Sequence, residues 1–187
     1  ILIHLMKNFS TFFTHHPNIY ITAPTDITEV ERRAYYKILS GRLRAKSVML
    51  VEKGVADAAG IGMPLDSPEG QMIVNLGGDR TEISVISEGK TIIQRTLRTG
   101  GHTLDEDIMN MVKKQFQLNI GRKTAEALKN QLAYLLNGPA LEMRVFGIHA
   151  VTGLPRQVAI PALAVSVSIV DTIDAITEVV KTTMERT

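Results

Sequence analysis

The pattern of apolar runs along this chain changes once, near residues 67–70. Before that point two short β-rich runs, NIYITAP and KSVMLVEKG, alternate with two helical segments, TDITEVERRAYYKILSGRL and VADAAGIGM. A strand, helix, strand, helix order predicts a parallel pair of strands with crossover helices. The first part of the chain is therefore predicted to be a βαβα unit.

After the change, three apolar-rich runs follow one another, QMIVNL, TEISVIS and TIIQRTL, with GGDR and SEGK between them. This predicts an antiparallel meander. A helix, GGHTLDEDIMNMVKKQF, completes a βββα unit. A second helix, IGRKTAEALKNQLAYLLNGP, is predicted to end at Asn137, Gly138 and Pro139. Two strands in LEMRVFGIHAVTGLPRQVAIPA and one long final helix follow, so the fold class is α/β.

Two helix starts have the spacing of a capping box, Thr28 with Glu31 and Thr103 with Glu106. Apolar residues at helical spacing predict the buried faces of the three longest helices. These faces comprise Val30, Ala34, Ile38 and Leu39 in the first, Leu104, Ile108, Met111 and Val112 in the second, and Leu163, Val167, Val170, Ile173, Ile176, Val180 and Met184 in the last.

Composition excludes several classes of function. With 187 residues and 44% hydrophobic content, the chain can bury the core of one domain or two small ones. The net charge is +2 and Lys and Arg never run beyond a pair, which argues against a nucleic-acid partner. There are no cysteines, so disulfides and thiolate metal sites are excluded and a cytoplasmic location is expected.

The N-terminal stretch ILIHLMKNFSTFFTHHP carries His4 and Lys7 among its apolar residues. It falls short of the ~20 apolar residues of a membrane span, so neither a transmembrane helix nor a signal peptide is predicted. Residues 1–16 instead predict an amphipathic helix ended by Pro17, which faces either the core or a membrane surface. The chain has no initiator Met and no helix stop near Thr187, so both ends are expected to belong to a longer protein.

Two segments suggest chemistry. In NLGGDR a glycine pair joins two strands, where backbone amides can approach a phosphate; an ordinary tight hairpin turn is the alternative. In VEKG, Glu52 and Lys53 follow a buried strand, at the sheet edge where reactive groups often lie; a solvated charge pair is the alternative. The histidines lack metal-like spacing, so no structural metal site is expected.

Six stretches, taken in order, resemble the MreB and Mbl family of bacterial actin-like rod-shape proteins: TAPTDITEVERRA, VMLVEKGVADAAGIGM, IVNLGGDRTEISVIS, LRTGGHTLDEDIMNMVKKQF, IGRKTAEALK and VTGLPRQVAI. The resemblance implies part of an actin-like ATPase fold, which is ribonuclease H-like, with a small α+β insertion. It also implies that residues 1–66 form the later part of the first large subdomain. Residues 67–118 with 163–187 would then form the second large subdomain, and residues 119–162 the small subdomain.

The resemblance also implies ATP and Mg²⁺ as cofactors and self-association into filaments. Such filaments lie on the inner face of the cell membrane and work with cell-wall morphogenesis proteins. The phosphate and nucleotide positions implied by the family's motifs are Asn75, Gly77, Gly78, Asp79, Arg80, Thr81, Gly100, Gly101, Arg122, Glu126 and Lys129. Mg²⁺ is expected near Asn75.

The phosphate loop departs from the family pattern, which reads approximately DIGGGTTE. Asn75 stands in place of a carboxylate that helps to hold hydrated Mg²⁺, and Asp79 and Arg80 replace a Gly and a Thr. Asp79 places a negative charge near bound phosphates, which disfavours ATP unless Arg80 offsets it.

The catalytic segment departs as well. Lys53 and Gly54 replace the second acid and the Pro of the family's EEP, which leaves Glu52 as the candidate catalytic residue, because a protonated Lys cannot act as a base. Arg122 replaces the Glu of GERTAE, and His102 replaces the Asp of GGDKLDE.

The leading hypothesis is therefore a cell-shape cytoskeletal protein of this family that binds ATP when intact but hydrolyses it weakly or not at all. An active actin-superfamily ATPase or phosphotransferase is one alternative. A non-enzymatic morphogenesis scaffold is another.

Overall fold

A computed structural model of the protein describes residues 18–24, 27–42, 45–134 and 138–186. The chain divides into two compact units, the first formed by Ile1–Ile73 with Ser84–Gln94 and the second by Val74–Ile83 with Arg95–Thr187. The elements, in chain order, are β1 (Asn18–Ala23), α1 (Glu29–Arg42), β2 (Ser47–Glu52), α2 (Lys53–Gly60), β3 (Gln71–Leu76), β4 (Thr81–Ser87), β5 (Lys90–Leu97), α3 (Gly101–Phe116), β6 (Leu118–Asn119), α4 (Arg122–Leu132), β7 (Glu142–His149), β8 (Pro155–Pro161), α5 (Ala162–Ser168) and α6 (Val170–Met184).

In the first unit, β1 and β2 form the predicted parallel pair, in register from Asn18 opposite Ser47 to Ala23 opposite Glu52. Both α1 and α2 pack on this pair. The predicted βαβα order is confirmed. Since parallel strands need a crossover between them, the helix that follows β1 brings the chain back to start β2 at the same end of the sheet.

The capping box at the start of α1 is confirmed. The Thr28 amide donates to Glu31 Oε2 at 2.8 Å, and the Glu31 amide donates to Thr28 Oγ1 at 3.2 Å. The hydrogen bond from the Thr28 backbone lowers the pKa of the Glu31 carboxyl below its usual value, and the bond from the Thr28 hydroxyl lowers it further. These reciprocal bonds satisfy two amides that the first turn of a helix leaves without partners.

The predicted buried face of α1 is wrong for three of its four residues. Val30, Ala34 and Ile38 are exposed, whereas Leu39 is buried with 1% of its surface exposed. Leu39 and the half-buried Tyr35 are four residues apart and share the neighbouring stripe of the helix. The helix is thus rotated so that a larger apolar pair, rather than the Val and Ala of the predicted stripe, turns inward.

The predicted three-stranded meander is present, with strand order β3-β4-β5. The central strand β4 is buried along almost its whole length. The β4–β5 turn needs two left-handed residues, and Glu88 (φ 49°) and Gly89 (φ 71°) provide them. This arrangement fixes the loop between β3 and β4 at one end of a rigid central strand.

The second unit contains a small antiparallel sheet of order β6-β7-β8, in which Glu142 pairs with Pro161 and Ile148 with Pro155. The predicted inner face of α3 is confirmed, because Leu104, Ile108 and Val112 are all buried. A single apolar core joins α3, α4, α5 and the sheet: Leu104, Ile108, Met111, Val112, Leu118, Ile120, Ala125, Leu128, Leu132, Val145, Ile160, Ala162, Val165 and Ile169.

Helix α3 starts earlier than predicted. It begins at Gly101, so Thr103 is the third helical residue and not the cap. The Thr103 hydroxyl oxygen still accepts from the Gly100 amide, at 3.4 Å, and Glu106 bonds Arg122 instead of the helix start. The predicted capping box of Thr103 with Glu106 is therefore wrong.

Two helix ends also differ from prediction. Helix α4 ends at Leu132, where Ala133 turns to extended backbone, ahead of the predicted stop signal, whose Asn137 lies outside the described residues. The predicted long final helix is broken at Ile169 into α5 and α6. Of its predicted inner face, Ile176 is buried, Ile173 and Val180 are partly buried, and Leu163, Val167, Val170 and Met184 are exposed.

Residues 1–16, predicted to form an amphipathic helix, lie outside the described residues. Among the helices that the structure describes, none is long and apolar enough to cross a membrane.

The capping box predicts a measurable contribution to the stability of α1. Thr28→Ala removes the acceptor for the Glu31 amide and should destabilise the protein by about 1 kcal/mol, measured by denaturant unfolding. Thr28→Ser keeps the hydroxyl and serves as the control. Because the folded-state pKa of Glu31 is lowered, its contribution should be present above the ordinary carboxyl pKa and disappear as the pH falls through the lowered value. Equal stability of the Ala and Ser variants would contradict the assignment.

Candidate functional site

The glycine-rich loop between β3 and β4, residues 77–80, closes as a tight turn. The Gly77 amide donates to the Arg80 carbonyl at 2.9 Å. Immediately after the loop, the buried Thr81 hydroxyl donates to the Thr99 carbonyl at 2.8 Å, which ties the first residue of β4 to the segment before α3. Gly78, Asp79 and Arg80 are exposed at the tip.

The loop is seated on the N-terminus of α3. The amides of Gly101 and His102, the first two of the helix, donate to the carbonyls of Gly77 at 2.9 Å and Gly78 at 2.8 Å. A helix leaves its first amides without partners inside the helix, and the loop supplies them here. Each of these carbonyls shares a peptide group with the amide of the next residue, and in a trans peptide the N–H points opposite to the C=O. The amides of Gly78 and Asp79 therefore face away from α3, as a phosphate cradle requires.

This seating depends on the absence of a side chain at Gly100. A Cβ there would lie 2.5 Å from the Gly77 carbonyl oxygen, 2.6 Å from that of Gly78 and 2.9 Å from the Arg80 amide. These contacts are with backbone, which cannot swing aside. The φ of Gly100 is −161°, which any residue can adopt, so the requirement is one of space alone.

Asp79 is paired with His102. The Asp79 carboxylate lies 2.9 Å from His102 Nδ1, with 84% of the Asp79 side chain and 45% of the His102 side chain exposed. The hydrogen bond to His102 lowers the pKa of Asp79, and the charges of His102, Arg122 and Arg80 lower it further. We expected Arg80 to compensate Asp79; the direct partner is His102, which also departs from the family pattern.

Helix α4 contributes the remaining predicted nucleotide contacts. Arg122, its first residue, forms an exposed ion pair with Glu106 of α3 at 3.1 Å. Glu126 lies one turn further along and is exposed. Lys129 donates to the Asp105 carboxylate at 2.7 Å and to the Gly101 carbonyl at 3.0 Å. The roles of these residues in nucleotide binding stay predictions.

The pair of Lys129 and Asp105 links α4 to the start of α3 in a sheltered position, with 18% of the Lys129 side chain and 3% of the Asp105 side chain exposed. The contact of Asp105 with Lys129 was not predicted from the sequence. The signal was present, since Asp105 lies between the inner-face residues Leu104 and Ile108, and an acid on an apolar face needs a cation.

Glu52, Lys53 and Gly54 belong to the first unit. Glu52 is the exposed last residue of β2, at the carboxyl end of the strand, and Lys53 opens α2. Gly54 is buried, and a Cβ on it would lie 2.5 Å from Ser84 Oγ, so the family's Pro would clash here unless Ser84 changed. A catalytic role for Glu52 stays a prediction.

Asn75 is the penultimate residue of β3 and partly buried. Its neutral amide can accept a hydrogen bond from a metal-bound water but brings no charge. Among the residues that the structure describes, no group of three or more His, Cys, Asp or Glu side chains is arranged to hold a metal ion.

Comparisons with known proteins agree with this architecture. The sequence model of the MreB/Mbl protein family matches residues 1–187. The chain is 33% identical over 172 residues to the cell shape-determining protein Mbl of Bacillus subtilis, covering 91% of this chain and 51% of that protein. It is 34% identical over 148 residues to the cell shape-determining protein MreB of Escherichia coli, covering 79% of this chain and 42% of that protein. The chain thus spans about half the length of the curated relatives it matches.

Solved structures show the same fold. MreB5 of Spiroplasma citri bound to ADP superposes with a TM-score of 0.91 at 26% identity, covering 100% of this chain and 56% of that one. The same protein bound to AMPPNP superposes with a TM-score of 0.89 at 25% identity, covering 98% of this chain and 57% of that one. A MamK double helical filament gives 0.73 at 18% identity, covering 97% and 54%, a likeness of fold alone. The predicted actin-like α/β fold is confirmed.

The crowding at Gly100 predicts a strong effect of a single methyl group. Gly100→Ala should destabilise the protein by about 1–3 kcal/mol, because the loop or the helix start must shift to make room. Gly121→Ala is the matched control: Gly121 caps α4 as Gly100 caps α3, but a Cβ there would meet nothing within 4 Å. Denaturant unfolding measures both, and similar stability of the two variants would refute the packing argument.

Proposed function

The chain belongs to the MreB/Mbl family, and we propose that it is part of an actin-like protein that assembles into filaments and determines cell shape. The observation that carries the proposal is the family match over all 187 residues. The relatives named cell shape-determining proteins, at 32–34% identity, support it. Because the chain spans about half their length, filament formation is proposed for the full-length protein.

Nucleotide binding at the loop of residues 77–80 is part of this proposal. The S. citri MreB5 structures bound to ADP and AMPPNP support it. The seating of the loop on α3 supports it independently, since this geometry turns the amides of Gly78 and Asp79 outward. We propose ATP as the ligand, with the exposed α4 residues Arg122 and Glu126 as further contacts.

Magnesium enters the proposal only with the nucleotide. The described residues do not fit a site in which protein carboxylates hold the ion, because Asn75 carries no charge. Mg²⁺ would then depend on the nucleotide phosphates, on water and on ligands outside the described residues. No catalytic step is assigned to it here.

Hydrolysis in this protein is proposed to be slow. A water that attacks the terminal phosphate needs a group to orient it and to accept its proton. Glu52, exposed at the carboxyl end of β2, is the one carboxylate that the resemblance leaves for this task, and the protonated Lys53 beside it cannot act as a base. The parts of this chain that resemble the family's motifs then serve chiefly to bind nucleotide and to hold the fold.

The subdomain assignment is likewise a proposal, with residues 1–66 in the first large subdomain, 67–118 and 163–187 in the second, and 119–162 as the small subdomain. Strands β7 and β8 lie within the last of these ranges and β6 begins one residue before it, which supports the assignment of a small subdomain. We further propose that the filaments lie at the inner face of the cell membrane, with cell-wall morphogenesis proteins as partners; this rests on the family alone.

Electron microscopy of the full-length protein on anionic liposomes tests filament formation. Filaments are expected on the liposomes in the presence of Mg-ATP and not without it, if the loop responds to nucleotide. Filaments that form equally in both conditions would favour a scaffold without a nucleotide switch. A protein that forms no filament in either condition would contradict the proposal.

Restoring the family residues tests the proposed weak hydrolysis. The triple change Lys53→Glu, Asn75→Asp and Asp79→Gly in the full-length protein should raise the rate of phosphate release from ATP by at least ~10-fold, because a carboxylate and a less anionic loop are regained. The control variant Lys53→Gln removes the cation without adding a base. A wild-type rate already equal to that of carboxylate-bearing relatives would refute slow hydrolysis and favour an active ATPase.

A further inference from the structure

Resting on the nucleotide binding proposed above, we propose that Asp79 and His102 act as a charge-coupled pair that sets the affinity of the loop for polyphosphate. When the His102 ring is protonated, the pair is neutral and the loop accepts the anion. When the ring is neutral, the pair carries the negative charge of Asp79, which opposes the anion. The pair thus makes binding sensitive to pH.

The geometry couples the two residues closely to the loop backbone. Asp79 Oδ1 lies 2.9 Å from His102 Nδ1, and the His102 ring lies against Gly78, where a Cβ would come within 3.1 Å of it. The His102 amide also donates to the Gly78 carbonyl. One residue therefore supports the loop through its backbone and balances the loop's charge through its ring.

The other charged groups nearby do not replace His102 in this role. The loop itself adds Arg80, whose charge acts on Asp79 less than that of His102 does. Helix α4 adds Arg122, which is engaged by Glu106, and Lys129, which is engaged by Asp105. Both of these α4 cations are thus already balanced by an acid of α3.

The other elements that pack against α3 add little charge near the loop tip. Strand β6 and helix α5 carry no ionisable side chain, and Glu126 of α4 is exposed. Helix α6 meets α3 where Thr172 donates to Asp107, five residues beyond His102 and so about 7.5 Å further along the axis. The charge of the loop tip therefore changes mainly with the protonation of His102.

The direction of the effect follows from linkage. A polyanion on the loop favours the protonated ring, so binding takes up a proton and should tighten as the pH falls. At the short separations involved, and with the dielectric effective near a protein surface, one unit charge is worth roughly tenfold in affinity. The loop should thus bind about tenfold more weakly at high pH than at low pH.

The test is equilibrium binding of Mg-ATP to the full-length protein from about pH 6 to about pH 8.5, a range that brackets an ordinary imidazole. The affinity of the wild-type protein for Mg-ATP should fall roughly tenfold from the lowest to the highest pH of this range. His102→Asn keeps a donor near the position of Nδ1 but cannot be protonated. The pH dependence of Mg-ATP binding to this variant should therefore reflect only the titration of the nucleotide. Asp79→Asn should bind tightly at both ends. His149→Asn, at the last residue of β7, is the control for loss of an imidazole elsewhere and should follow wild type.

Proton NMR of the ring, without nucleotide, provides an independent measurement. The ring signals of His102 should differ between wild type and Asp79→Asn, because Nδ1 lies 2.9 Å from the Asp79 carboxylate, and unchanged signals would overturn the pairing. Mg-ATP binding whose pH profile is the same in wild type and His102→Asn would overturn the role of the pair while leaving the proposed nucleotide binding intact. Absence of binding at every pH, in wild type and variants alike, would overturn both.

Discussion

Two hydrogen bonds from the first amides of α3 to the carbonyls of Gly77 and Gly78 organise the second unit. They satisfy helix amides that would otherwise lack partners, and they fix the loop between β3 and β4 against the helix. Because Gly100 leaves no room for a side chain, the contact is made between backbones, so it tolerates change in the side chains around it. Asp79, Arg80 and His102 all differ from the family pattern, yet the backbone hydrogen bonds between the loop and α3 are formed.

The ion pair of Lys129 with Asp105 extends this arrangement to α4. Lys129 also donates to the carbonyl of Gly101, the residue whose amide holds the loop. A sheltered pair of this kind contributes little net stability relative to an apolar pair, but removal of one partner alone costs about 3–5 kcal/mol. Its effect is to specify which turn of α4 lies beside the start of α3, and the apolar core beneath stabilises the contact.

Strong local signals in the sequence predicted the structure well. The capping box of Thr28 and Glu31 is a self-contained set of hydrogen bonds, and it formed as predicted. The start of α3 was predicted three residues late because its first amides are satisfied by a distant loop, which local spacing does not reveal. The predicted buried face of α1 was wrong because the helix carries two equally regular apolar stripes. The stripe with Leu39 is buried, whereas the one with Val30, Ala34 and Ile38 is exposed. In the candidate site, the glycine positions followed from the sequence, whereas the pairing of Asp79 with His102 joins residues 23 apart and needed the fold.

The seating of the loop has an electronic consequence. The carbonyl of Gly77 shares a peptide group with the amide of Gly78, and the carbonyl of Gly78 shares one with the amide of Asp79. A peptide group whose oxygen accepts a hydrogen bond becomes a stronger donor at its nitrogen, because hydrogen bonds in series polarise one another. The two loop peptides therefore act as relays that carry the positive end of the α3 dipole one residue outward. An anion at the tip would experience the helix through these relays without touching it.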